Sequence, residues 1–162
     1  MTAAIEVRRL TEADPDLLRE IVAMLPAPEW RGDSVPSQAH LARVLHEGTY
    51  IVAALAGRKP AGFASAYRFP AVTAQSDLAC IYDVFVAEQW RGQGIGRRML
   101  DRLLADLKAD GVSEAWVGTD PDNRAARRLY AAAGACAAEE YVQFEFVFEA
   151  PKAARRAEGV RP

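Results

Sequence analysis

The sequence lacks most of the features that mark metal, redox, membrane and nucleic-acid proteins. Its 162 residues include two cysteines and two histidines, and Cys80 and Cys136 have neither metal-ligand nor redox spacing. We expect both cysteines to be small buried hydrophobic residues in a reduced, cytoplasmic protein without a metal. The formal net charge of −2 argues against a general nucleic-acid binder, which is usually basic. No apolar run approaches the roughly 18 residues that cross a membrane, and no signal peptide opens the chain, so we expect no membrane partner.

What the chain does have is a hydrophobic fraction of 51%, enough for one domain with its own core. We predict a single domain over residues 1–150 and a charged, frayed tail over 151–162. Apolar periodicity and turn residues predict the order β-α-α-β-β-β-α-β-α-β. Strands are predicted at 4–10, 50–55, 61–69, 81–86, 114–119 and 140–148, with a loop at 70–78. The helices are predicted to follow the N-caps Asp14 and Ser37, to begin at Gly94, and to follow the N-cap Asp120.

The most informative stretch is 82–96, YDVFVAEQWRGQGIG. Its first part is β-branched and aromatic, which predicts a strand buried on at least one face. Gly92, Gly94 and Gly96 follow at every second position, and a helical apolar pattern starts at once. A strand, a glycine turn and a helix together direct free backbone N–H groups and the positive end of the helix dipole at an anion. Arg91 and Arg97 flank this turn and are candidates for charge-assisted contacts.

The spacing of these glycines decides between anion-binding motifs. The dinucleotide fingerprint needs G-x-G-x-x-G, and the P-loop needs Gly-Lys followed by Ser or Thr, so neither fits. The pattern R-x-x-G-x-G, formed by Arg91, Gly94 and Gly96 after a strand, resembles the acetyl-CoA pyrophosphate loop of the GCN5-related N-acetyltransferase (GNAT) superfamily. That resemblance implies an α/β (α+β) fold with a mixed, mostly antiparallel sheet and helices on both faces. It also implies a central parallel strand pair that splays apart around the pantetheine arm.

The predicted helix after Asp120 adds to this resemblance. The superfamily often has an Asn near this helix start, a Tyr seven residues later and a Gly just past the helix end; Asn123, Tyr130 and Gly134 match. By resemblance, Asn123 contacts the cofactor arm and Tyr130 lies near the thioester sulfur. A phenol in that place can protonate the departing thiolate, so Tyr130 is the predicted general acid, and a packing role is the alternative.

The cofactor implied is acetyl-CoA, as a cosubstrate, and the mechanism implied is direct transfer without an acyl-enzyme. A backbone N–H freed near Phe85 or Val86 is the expected oxyanion donor. The residues assigned to the cofactor are Val84, Phe85, Val86, Arg91, Gly92, Gln93, Gly94, Ile95, Gly96, Arg97 and Asn123.

Carboxylates near the central strand are the candidates for accepting the proton of the amine. Asp83 comes first, because a carboxylate that interrupts an apolar strand is costly to bury without a purpose. Glu139 and Glu140 come next. The runs IYDVFV at 81–86 and EEYVQFEF at 139–146 resemble the type I aminoglycoside 3-N-acetyltransferases. The acceptor implied is a polycationic aminoglycoside, with Asp83, Tyr82, Glu139 and Glu140 as its binding residues.

Two alternatives remain open at this point. The acceptor amine could belong to a polyamine, an amino-acid derivative, or a protein N-terminus or lysine. From a different class, the chain could be a non-catalytic module that binds acetyl-CoA. The expected partner in either enzymatic case is a small amine or a peptide amine, and a homodimer stays open.

Overall fold

The computed structural model describes residues 4–25, 35–46, 48–136, 139, 142–144 and 146. The strands are β1 Ile5–Arg9, β2 Thr49–Ala56, β3 Lys59–Pro70, β4 Asp77–Val86 and β5 Val112–Val117. The helices are α1 Pro15–Met24, α2 Gln38–Val44, α3 Ile95–Ala109 and α4 Arg124–Ala132, with a short 3-10 turn at Glu88–Trp90. The predicted order is therefore confirmed as far as α4.

The five strands form one sheet in the order β1-β2-β3-β4-β5. The first four are antiparallel neighbours, and β4 and β5 are parallel, as predicted. The β4–β5 pairing ends at Ile81 and Val117, although β4 continues to Val86. In the described part of the chain, residues 82–86 therefore have no neighbouring strand on the β5 side. This is the opening that the predicted splay requires.

Two hydrophobic clusters cover the two faces of the sheet. On one face α3 buries a stripe at helical spacing against the strands, comprising Ile95, Met99, Leu100, Leu103 and Leu107. On the other face α1 and α2 pack Leu18, Ile21 and Leu41 against β2 and β3. The predicted arrangement of helices on both faces is confirmed. No described helix is both long and apolar enough to cross a membrane.

Two predicted helix starts differ in detail from the structure. Ser37 caps α2 as expected, since its hydroxyl accepts from the His40 N–H at 3.3 Å. Asp14 precedes α1, but its carboxylate accepts hydrogen bonds from Thr11 and Arg8 instead of from the helix. The prediction of an N-cap at Asp120 was wrong. Helix α4 starts after Asn123, because residues 120–123 first form a turn in which the Asn123 N–H donates to the Asp120 carbonyl.

Other predicted boundaries shift because tertiary pairing extends or shortens elements. Strand β4 begins at Asp77, inside the predicted loop 70–78, since Asp77 pairs with both Pro70 and Val112. The sequence also predicts that the helix after Ser37 ends at Gly48, whereas α2 ends at Val44. Cys80 is partly buried, but Cys136 is exposed, contrary to expectation. The described residues of the predicted last strand, 142–144 and 146, are not in a strand, and the rest of 140–148 and the tail 151–162 lie outside the described residues.

Candidate active site at the open end of β4

The glycine turn has the backbone geometry that only glycine adopts easily. Gly92 and Gly94 have φ values of 74° and 73°, in the left-handed region, and Gly94 is the residue that precedes α3. A Cβ atom at either position would meet nothing within 4 Å. The space in front of this turn is therefore open to a ligand, and these two positions require glycine for conformation rather than for packing.

The backbone N–H groups of the turn are available to a ligand. The first helical bond of α3 runs from the Arg98 N–H to the Gly94 carbonyl, at 3.1 Å. None of the N–H groups of residues 92–97 donates to another described residue. Consecutive free N–H groups at a helix start, with the helix dipole behind them, are suited to a phosphate or pyrophosphate.

The two arginines that flank the turn already have protein partners. The Arg91 guanidinium donates to the Val86 carbonyl at 3.0 Å and so ties the turn to the end of β4. Arg97 forms an ion pair with Asp101 at 2.6 Å and also donates to the Ala132 carbonyl at the end of α4. Both side chains therefore hold the turn and the neighbouring elements in place. This role is separate from any charge-assisted contact with a bound anion.

Gly96 lies where β4, α3 and α4 meet. An added Cβ would lie 3.5 Å from Leu129 of α4 and 3.6 Å from Val86 of β4. Tyr130, next to Leu129, is half-buried against the cluster that contains Val84 and Val86. Burial raises the pKa of Tyr130 above its ordinary value. Its hydroxyl has no hydrogen-bond partner among the residues described, so it remains free to act on a ligand.

Asn123 has a structural role that the resemblance to the acetyltransferase superfamily did not predict. Its Oδ1 accepts from the Ala126 N–H at 3.1 Å, which caps α4. Because α4 positions Tyr130, this cap also helps to place the phenol. The side-chain amide of Asn123 keeps its two N–H donors for another partner.

Along β4 a bulge changes which side chains face each side of the sheet. Ser65 pairs with Asp83 and Ala66 pairs with Ile81, so Tyr82 is an extra residue. Ile81 and Val84 consequently both face the α3 side. Asp83 lies instead on the α1–α2 side, with Phe85.

The candidate substrate residues on this side are partly or fully exposed. Asp83 is partly exposed, and its Oδ2 accepts from the Ser65 hydroxyl at 2.7 Å. The Tyr82 side chain is 72% exposed and stacks edge-on against Tyr67, with ring centroids 5.9 Å apart. Burial, then the charge of Asp83, raises the pKa of Tyr67. Glu139 is exposed and Glu140 lies outside the described residues, so the convergence of these glutamates on Asp83 stays a prediction.

The backbone of β4 presents donors to the opening beside β5. The Asp83 N–H donates to Ser65 Oγ and the Ala87 N–H donates to the Ala61 carbonyl, so both point towards β3. Because strand backbone groups alternate in direction, the N–H groups of Val84 and Val86 point to the β5 side. Of the two oxyanion donors considered from sequence, this favours Val86 over Phe85.

Sequence reasoning missed Ser65 and Tyr67. Both lie on β3, whose sequence AGFASAYRF reads as an ordinary hairpin strand. Their proximity to Asp83 depends on the β3–β4 register and on the bulge at Tyr82. A serine between two alanines was the only local signal in the sequence.

Comparison with known proteins places these features in a family. Residues 15–135 match the family model described as Acetyltransferase (GNAT) family. An aminoglycoside acetyltransferase from an uncultured soil metagenomic sample, solved with trehalose and with sisomicin, is 25% identical with a TM-score of 0.82. The alignment covers 90% of this chain and 97% of that one.

Two curated relatives act on other amines. L-2,4-diaminobutyric acid acetyltransferase of Bordetella parapertussis is 34% identical over 86 residues, which is 53% of this chain and 45% of that protein. Ribosomal protein bS18-alanine N-acetyltransferase of Escherichia coli is 33% identical over 58 residues, 36% of this chain and 39% of that protein. The matched part of the chain thus spans about half the length of these curated relatives or less.

Proposed function

This chain belongs to the acetyltransferase (GNAT) family, and we propose from this premise that it transfers an acetyl group from acetyl-CoA to a primary amine. The acceptor that we propose is a polycationic aminoglycoside, acetylated at its 3-amino group. The observation that supports the activity most strongly is the row of free N–H groups over residues 92–97, beside the opening between β4 and β5.

Acetyl-CoA supplies an activated acetyl thioester, and the described residues fit its parts. The pyrophosphate suits the turn at Gly92 and Gly94, where the N–H groups are free and no side chain blocks the approach. On the β5 side, residues 82–85 have no neighbouring strand, which suits the amides of the pantetheine arm, because they can pair there as a strand would. Asn123 is placed at the start of α4 with its amide donors free for the same arm.

Two side chains on opposite faces of β4 are assigned to the proton transfers. Asp83 accepts a proton from the amine, either directly or through water, and its Oδ1 is free of described partners for this purpose. The amine nitrogen then bonds to the acetyl carbon, loses its second proton to water as the amide forms, and the carbon–sulfur bond breaks. Tyr130, which is protonated at neutral pH like any phenol, donates a proton to the departing sulfur and regains one from water. The Val86 N–H faces the oxygen on which negative charge builds up.

Two observations support an aminoglycoside as the acceptor. The structure that was solved with sisomicin shares the fold over nine-tenths of this chain. Asp83 and the exposed Tyr82 offer a carboxylate and an aromatic ring to a cationic sugar amine. The diaminobutyrate and ribosomal-protein relatives support a second candidate, an amino-acid or peptide amine, through their sequence similarity to parts of this chain.

An acceptor panel tests this proposal. Sisomicin, L-2,4-diaminobutyrate, putrescine and a peptide with an N-terminal alanine are compared at equal acetyl-CoA concentration, by the release of free CoA thiol. We expect the highest kcat/KM with sisomicin, and NMR of the product should place the acetyl group on the 3-amino nitrogen. A higher kcat/KM with diaminobutyrate or the peptide would select the second candidate. Thiol release with none of the four would indicate a module that only binds acetyl-CoA.

Ionic strength gives an independent check on the acceptor. Raising it from about 0.05 to about 0.5 M shortens the screening length several-fold, so a polycationic acceptor should lose affinity for an acidic site. We expect the KM for sisomicin to rise about tenfold, and the KM for the monoamine peptide to change less than about twofold. Equal salt dependence for both would argue against recognition by charge.

A further inference from the structure

Ser65 is buried in a place where a hydroxyl group is costly. Its exposure is 2%, and among the described residues the only other buried side chain with a polar group is Tyr50, whose hydroxyl donates to Asp110. Side chains alternate along a strand, so Ser65 shares its face with Phe63, which belongs to the buried apolar cluster under α1 and α2. A hydroxyl in such surroundings destabilises the fold unless its hydrogen bonds are satisfied, and here a single residue satisfies them.

That residue is Asp83. The Ser65 hydroxyl donates to Asp83 Oδ2 at 2.7 Å and accepts from the Asp83 N–H at 3.1 Å. The bulge at Tyr82 brings the two residues directly opposite each other. The only proton of the hydroxyl and one of its lone pairs are thus both used on the same partner. No other described side chain holds this carboxylate.

We infer that Ser65 is a positioning residue for acetyl transfer, acting through Asp83. This inference rests on the proposed role of Asp83. By holding Oδ2 and the backbone N–H of one residue, Ser65 restricts the torsion angles of the carboxylate and leaves Oδ1 without a described partner. A carboxylate held in one rotamer meets the acceptor amine in a reactive geometry more often than a freely rotating one.

A simple structural role would also explain a satisfied buried hydroxyl, and a double-mutant cycle separates the two roles. If Ser65 acts through Asp83, then Ser65→Ala should have almost no further effect once Asp83 is Asn. If Ser65 only supports the sheet, the two effects should be independent and should add. The readout is kcat and KM for both substrates, with acetylated product measured by mass spectrometry.

We expect Ser65→Ala to lower kcat about 10- to 100-fold, because it removes a hydrogen bond to a charged group. The KM for acetyl-CoA should stay within about twofold, since the turn at Gly94 is unaffected. Asp83→Asn should lower kcat about 100-fold or more, and the double variant should equal Asp83→Asn within about twofold. The acceptor is whichever of sisomicin, L-2,4-diaminobutyrate, putrescine and the alanine peptide the wild-type protein acetylates fastest.

Two further variants serve as controls for a folding defect. Ser113→Ala removes an exposed hydroxyl from the same sheet, one that donates to the Asp77 carbonyl, and should leave kcat unchanged. Ser65→Cys fills the same space with a weak donor and should reproduce most of the loss in kcat. Additive effects in the cycle, or full activity of Ser65→Cys, would overturn the inference while the proposed activity stands. A wild-type protein that acetylates none of the four amines would overturn both.

Discussion

At the scale of residues, the proposed chemistry depends on three polar side chains beside the open end of β4. Asp83 lies on the α1–α2 side of the sheet with one carboxylate oxygen held by Ser65. Tyr130 lies against the α3 cluster with a hydroxyl that no described residue engages. In the proposed reaction, the base and the acid lie on opposite faces of one strand, so that Asp83 acts on the amine and Tyr130 acts on the departing thiolate.

Tyr130→Phe tests the acid. We expect kcat to fall about 10²–10⁴-fold, the usual scale for loss of a general acid, while the affinity for CoA changes little because the ring keeps its packing. Steady-state kinetics together with calorimetric titration of CoA would measure both quantities. Turnover close to that of the wild-type protein, with chemistry shown to be rate-limiting, would make Tyr130 a packing residue.

Asp14 gives a prediction about pH and stability, separate from the active site. The Arg8 guanidinium, 2.7 Å away, and then the Thr11 bonds hold the pKa of Asp14 at about 2, below its ordinary 3.8. A lowered folded-state pKa adds stability above pH 3.8, and this is lost as the pH falls towards 2.

Replacing Asp14 by Asn should therefore lower the free energy of unfolding by on the order of 1–2 kcal/mol at neutral pH. The difference from wild type should shrink to near zero as the pH falls through about 2, the pKa of this carboxyl in the folded protein. Urea unfolding at a series of pH values would measure it. A difference that does not depend on pH would mean that the Arg8–Asp14 pair contributes through packing alone.

At the scale of elements, the glycine turn is the feature that the sequence predicts best. Its strand, turn and helix all follow from local signals, and the structure confirms each of them. The start of α4 was misplaced because Asp120-Pro121 and Asn123 are both good local caps, and only the turn at 120–123 decides between them. The early start of β4 and the bulge at Tyr82 depend on pairing with β3, which no local pattern encodes.

Gly94→Val tests the turn, and the chain offers a matched control at Gly57. Both glycines have positive φ, 73° and 64°, and open space around the missing Cβ. Valine at either position should therefore introduce a similar backbone strain, on the order of 1–2 kcal/mol. Only Gly94 lies on the proposed pyrophosphate site.

For wild type and Gly57→Val, saturating CoA should raise the melting temperature by about 5–10 °C, through mass action on the folded state. For Gly94→Val we expect a shift below about 1 °C, because the valine side chain occupies the approach to the free N–H groups. Differential scanning fluorimetry at increasing CoA concentration would measure these shifts. A normal shift in Gly94→Val would place the cofactor elsewhere.

For the whole molecule, the two faces of the sheet have different proposed roles, one in binding acetyl-CoA and one in binding the acceptor. The turn, α3 and α4 lie on the side that we assign to acetyl-CoA, and Asp83, Ser65 and Tyr82 lie on the side assigned to the acceptor. Strand β4 contributes to both sides, since the bulge directs Val84 and Val86 to one face and Asp83 and Phe85 to the other. The family's motifs made the cofactor side predictable from sequence. The acceptor side depends on long-range pairing and was only partly predictable.

The central claim is that the acetyl group passes directly from acetyl-CoA to an amine. It is tested most directly by mixing the protein with carbonyl-labelled acetyl-CoA, with and without the best acceptor of the panel, and recording mass spectra of protein and acceptor. We predict that free CoA thiol appears only when the acceptor is present, that the label ends on the amine nitrogen, and that the mass of the protein does not change. Label on the protein in the absence of acceptor, or no transfer to any amine of the panel, would contradict the account.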